Sequence, residues 1–139
     1  MGIFQQPTIH RDQRSRAIDP VVTRVAALLR TCLAPLDPRV LTIPEKRLGY
    51  AHFAYGAIIE LAAEQGLDKT QCLAALAVCL QQTPGFSPQD VSYLVGRCMN
   101  SMEHPQNQQA RQVGAQAVRD RELKHLTAAA LARLFNEPV

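Results

Sequence analysis

Apolar residues recur every three or four positions along most of the chain, and period-two alternation of β-branched residues never persists. That pattern predicts helices and no strand. A first helix is expected over 20–34, with Asp19 as N-cap and Pro20 in the first turn. Its apolar face is Val21, Val25, Leu28, Leu29, Cys32 and Leu33, and the proline-rich 35–38 segment stops it. A second helix is expected over 43–65, between a Thr42/Glu45 capping box and Gly66 at the C′ position. At about 100° per residue, Ile43, Leu48, Tyr55, Ile58, Ile59 and Leu61 share a broad apolar sector. Glu45, His52, Glu60 and Glu64 fall opposite, and Phe53 falls on that polar side.

A third helix is expected over 69–82. Asp68 and Gln71 read as a capping box, with Leu67 and Cys72 as a hydrophobic staple. Every residue from Cys72 to Leu80 is apolar, which predicts a helix buried on most sides at the centre of the domain. A fourth is expected over 88–103, capped by Ser87 with Asp90 at its third position and Phe86 stapled to Val91. Its stripe is Val91, Leu94, Val95, Cys98, Met99 and Met102. Pro105 opens either one long helix or two. Ala110, Val113, Ala117 and Val118 form a weak stripe, Leu123, Leu126, Ala130, Leu131 and Leu134 a stronger one, and the charged 119–122 segment lies between.

The expected architecture is therefore all-α: a single compact bundle of five to six helices over 19–136, with the apolar third helix central, preceded by a basic arm over 1–18 that is mobile or loosely docked. All nine prolines can be placed in a tail, a loop or a first helical turn, which supports these boundaries. Short connections at Gly66 and over 83–86 predict that the second, third and fourth helices are neighbours packed roughly antiparallel. The small-residue stripe Ala110, Gly114, Ala117 would let another helix approach closely, from this chain or from a second copy in a twofold homodimer.

Composition narrows the function classes. A length of 139 residues with 47% apolar and 19% charged residues suits one folded domain with its own core. The net charge of +3 is mild for a nucleic-acid binder, and an aromatic content of 5% without tryptophan argues against base stacking on single strands. The four cysteines form no C-x-x-C pair and sit in apolar helical patterns, so buried thiols in a reducing cytoplasm are expected. The N-terminus lacks the long apolar stretch of a signal peptide, Gln6 stands where a myristoylation motif wants Ser or Thr, and no membrane span is expected.

Glycine loops for nucleotides, H-E-x-x-H and G-x-S-x-G are absent, and no two of His10, His52, His104 and His125 have local metal-ligand spacing. No cofactor is expected. Ala62-x-x-x-Gly66 matches the turn of a helix-turn-helix, but the recognition helix would then be the apolar third one, which needs burial rather than a groove. The leading expectation is a non-catalytic protein-binding module: an inhibitor, immunity-type factor, adaptor or regulator of another protein. Its contact face would be Phe53, ringed by Glu60, Glu64 and His52. One alternative is a nucleic-acid-associated regulator using Arg11, Arg14, Arg16, Arg111, Arg119, Arg121 and Lys124. Another is an enzyme or metal protein whose site converges only on folding, with His52, Glu60, Cys72 and Cys98 as candidate groups.

Overall fold

The computed structural model describes the backbone of residues 2–34, 38–100 and 105–119, and side-chain environments from residue 17 onward within those spans, Pro38 excepted. Five α-helices follow one another: α1 (Gly2–Leu33), α2 (Pro44–Gln65), α3 (Lys69–Gln81), α4 (Pro88–Asn100) and α5 (Pro105–Arg119). A 3-10 helix (Pro38–Thr42) leads into α2. No strand occurs among the described residues. The question of one helix or two after Pro105 falls at 120–136, outside them.

The helix ends follow local chemistry at most junctions. Asp68 and Gln71 form the reciprocal capping box of α3, and Ser87 and Asp90 exchange the same pair of bonds at α4. Gly66 closes α2 at φ 71°, the left-handed conformation that favours glycine. The start of α2 differs from expectation. Thr42 donates its hydroxyl back to the Arg39 carbonyl and closes the 3-10 helix, so Ile43 becomes the N-cap without a side-chain bond and Pro44 opens α2.

The start of α1 differs more. The helix runs continuously from Gly2, with Pro7 and Pro20 inside it, so Asp19 is not a cap. Its packing stripe begins before the proline: Ile18, Val22, Val25, Leu29 and Cys32 recur at alternating spacings of four and three, and all are buried. An interior proline costs a helix about 3 kcal/mol. Burying Ile18 offsets roughly 1.5–3 kcal/mol of that. Pro20 itself is exposed.

The apolar third helix packs on α1, α2 and α4, with Cys72, Ala75, Leu76, Cys79 and Leu80 buried. The helix buried on every side is α2: all residues from Tyr50 to Ile58 are buried, and α2 touches α1, α3, α4, α5 and the 3-10 helix. Tyr50 shares a hydroxyl–hydroxyl bond of 3.1 Å with Thr83 just past the end of α3, so α2 and α3 run antiparallel. Thr83 in turn donates to the Cys79 carbonyl, which leaves Tyr50 as the donor in the first bond. Arg47 pairs with Asp90 at 3.1 Å near the starts of α2 and α4, so these two run the same way and α3 lies antiparallel to both.

The tightest packing is between α2 and α5. Gly56 and Gly114 sit where the two backbones meet: a β-carbon on Gly56 would lie 2.1 Å from the Arg111 carbonyl oxygen, and one on Gly114 would lie 2.0 Å from the Phe53 carbonyl oxygen. The stripe Ala110, Gly114, Ala117 is buried in this contact. Its partner is therefore α2 of the same chain, and that surface is not available to a second copy. Gly56→Ala and Gly114→Ala are each expected to lower the unfolding free energy by about 3 kcal/mol or more in urea titrations, because backbone rather than a flexible side chain must move. An undiminished midpoint in either variant would contradict the close crossing.

Candidate functional site

The face expected around Phe53 does not exist as a surface. Phe53 and His52 are both fully buried, because α5 covers the side of α2 that a single polar–apolar division assigned to solvent. Ile59 and Ile43, placed in the apolar sector, are instead 42% exposed. Glu60 pairs with Arg119 at 3.3 Å, and Glu64 lies 3.8 Å from Arg24. The two carboxylates thus tie α2 to α5 and α1 rather than forming an open acidic patch. Exposed pairs of this kind contribute about 0–1 kcal/mol each.

Of the basic residues named for nucleic acid, the structure describes the side chains of Arg111 and Arg119. Arg119 is engaged with Glu60. Arg11, Arg14 and Arg16 lie on the first half of α1, where side chains are not described, and Arg121 and Lys124 lie outside the described residues.

The polar centre that folding assembles is built on Arg111, which the sequence groups only with the basic residues of the nucleic-acid alternative. From α5 its Nε donates to His52 Nδ1 on α2 at 2.9 Å, and its Nη2 donates to the Cys98 carbonyl near the end of α4. Its guanidinium carbon lies 4.7 Å from the centre of the Tyr55 ring. Since Nδ1 accepts, the ring proton of neutral His52 sits on Nε2, which is buried without a partner. Burial first, and then the charges of Arg111 and Arg97, push His52 down to about 4.

Of the groups named for a convergent site, His52 meets Arg111 through its ring, whereas Cys98 meets it through its backbone carbonyl and not its thiol. Glu60 is engaged elsewhere, with Arg119, and Cys72 stays buried on α3. Burial pushes Cys98 and Cys79 up to about 12 and Cys32 to about 11, and Cys72 also up, so these thiols stay protonated and are poor nucleophiles. Among the described residues, no three His, Cys, Asp or Glu side chains gather as a metal-ligand set. Among the described residues, no helix is long and apolar enough to cross a membrane.

The outward side of α4 is the other notable feature. Tyr93 is 58% exposed and Met99 48%, although the stripe placed Met99 in the core. Arg97 lies over Tyr93, with Nη1 donating to the Tyr93 hydroxyl at 2.9 Å and the guanidinium carbon 5.8 Å from the ring centre. At about 100° per residue, Gly96 falls between Tyr93 and Met99 on that outward side. Nothing in the chain lies within 4 Å of where its β-carbon would be.

The pH dependence of stability follows from His52. Its folded value is about 4 against an ordinary 6.5. Between those values the unfolded chain binds a proton that the folded chain refuses, so this contribution falls as pH drops from about 6.5 and levels off below about 4. The loss is on the order of 3 kcal/mol. Urea unfolding between pH 7 and pH 4 should show it, and His52→Gln, which keeps an acceptor for Arg111 without titrating, should remove most of that slope. Comparison of the chain with protein-family models, with curated proteins and with solved structures gives no match.

Proposed function

We propose that the chain is a non-catalytic protein-binding module, an inhibitor, immunity-type factor, adaptor or regulator of another protein, and that the outward face of α4 is its contact surface. The observation that carries this reading is Gly96. A glycine inside a helix costs about 0.5–1 kcal/mol relative to alanine. Gly56 and Gly114 repay that cost inside the chain, where their missing β-carbons admit a neighbouring backbone. Gly96, like Gly49 on α2, has open space in that position, and its carbonyl accepts from Asn100 Nδ2 at 3.2 Å. A partner's backbone approaching α4 would use the absence of a side chain there in the same way.

The flanking residues suit such a contact. Tyr93, Arg97 and Met99 are of the types enriched at protein interfaces. Tyr93 and Arg97 hold one another through a hydrogen bond and a stacked guanidinium, so less side-chain entropy is lost on binding. The contact face thus moves from Phe53 on α2 to α4. Binding rather than catalysis also fits the cysteines, which burial holds as thiols.

Two substitutions at one position separate this reading from a purely structural one. Gly96→Ala should stabilise the isolated chain by roughly 0.5–1 kcal/mol in urea titrations. Gly96→Leu should leave the fold intact and abolish retention of a partner captured by the wild-type chain. Tyr93→Ala should weaken that partner at least about tenfold. Ile59→Ala, on the outward side of α2, should bind as the wild type does. A partner held equally by wild type, Gly96→Leu and Tyr93→Ala would refute the α4 face.

A further inference from the structure

We infer that the cleft between α1, α2 and the end of α3 binds a small apolar carboxylate, with its ring or short branched chain inside the cleft and its carboxylate on Arg30 at the mouth. The cleft has a volume of about 140 Å³. An apolar cavity of roughly 150 Å³ admits benzene, whereas sites for drug-sized ligands start near roughly 300 Å³. One ring, or a branched chain of similar bulk, is therefore the largest group the cleft can enclose. Ala26 and Leu29 from α1, Tyr50 from α2 and Cys79 from α3 are buried and form its floor, with the half-buried Leu33 as a wall.

The O–H and S–H protons of the floor are already spent. Tyr50 donates its hydroxyl to Thr83 Oγ1, which donates in turn to the Cys79 carbonyl. The Cys79 thiol, which burial keeps protonated, lies 4.0 Å from the Val22 carbonyl. An apolar group entering the cleft would therefore strip no donor of its partner. The mouth is different. Arg30, in the last turn of α1, and Gln82 are exposed there. Among the described residues no carboxylate lines the cleft and none pairs with Arg30, whereas Arg24, Arg47 and Arg119 each pair with one. A guanidinium matches a carboxylate through two parallel N–H donors. A neutral hydrocarbon would leave Arg30 unused, and a small hydrated anion would leave the cleft unused. A ligand with both parts uses the whole site. Among the described residues none from α4 lines the cleft, so the site does not require the α4 face to bind a protein.

The test uses the full chain and three titrants at pH 7 and constant ionic strength: benzoate, its neutral counterpart benzyl alcohol, and acetate, which carries the head without the body. The readouts are the methyl signals of Ala26, Leu29 and Leu33 by NMR and the urea midpoint. Benzoate should shift these methyls saturably, with half-saturation on the order of 1 mM, and raise the urea midpoint. Benzyl alcohol should shift the same methyls at least about tenfold more weakly, and acetate should leave them in place. Arg30→Gln, at an exposed position, should keep the fold and reduce benzoate to the level of benzyl alcohol without changing benzyl alcohol itself. Leu33→Phe, which fills the cleft from its wall, should abolish both responses. Gly96→Leu should bind benzoate as the wild type does, even where it releases a protein partner. Absence of a saturable benzoate response, equal affinity for benzoate and benzyl alcohol, or unchanged benzoate binding by Arg30→Gln would overturn the inference. So would a chain that sediments as a dimer and becomes monomeric in Leu33→Phe, because the cleft would then seat a second copy.

Discussion

The contact of α2 with α5 at Gly56 and Gly114 is the constraint on which the rest of the structure depends. Each glycine removes the one atom that would collide with the opposite backbone. The two together cost about 2 kcal/mol of helix propensity, offset by dispersion and burial along the contact. With the axes this close, Phe53 is sealed against α5 and Ala51, Ala54 and Ala57 are fully buried. Larger residues at these positions would hold the helices apart and open the centre of the bundle.

The same contact brings Arg111 to His52. An arginine that enters a half-buried junction needs acceptors, and it finds an imidazole nitrogen and a carbonyl near the end of α4. That carbonyl is one of the last four of α4, which have no partner within the helix. Arg111 therefore joins three helices by meeting a need that the end of α4 creates. Its cost falls on His52, which must stay neutral with its Nε2 proton unpaired.

The charges elsewhere are arranged differently. Glu60, Glu64 and Asp90 each face an arginine from another helix, so acidic groups on α2 and α4 serve to orient the bundle. What α4 leaves outward is a tyrosine, an arginine and a methionine around a glycine with open space where its β-carbon would be. The contact surface proposed for this protein is therefore defined by a missing side chain, whose significance shows only when the space around it is known.

Much of the fold was legible in the residues themselves. Asp68/Gln71 and Ser87/Asp90 bond within their own helix turns, and Gly66 adopts its left-handed conformation locally, so these boundaries need no tertiary information. The apolar periodicity of α1, α3 and α4 likewise identifies helices and most of their buried faces. Periodicity failed on α2 because it assumes one buried face and one wet face, and α2 has no wet face from Tyr50 to Ile58. Phe53 and His52 were read as surface for that reason. Pro20 was read as a helix start because its local cost is visible in sequence, while the offsetting burial of Ile18 is not. Local spacing alone determined the starts of α3 and α4, the end of α2 and which residues are apolar. The tertiary structure decided which small residues face a backbone and which face open space, because that depends on the approach of residues more than fifty positions away in the chain.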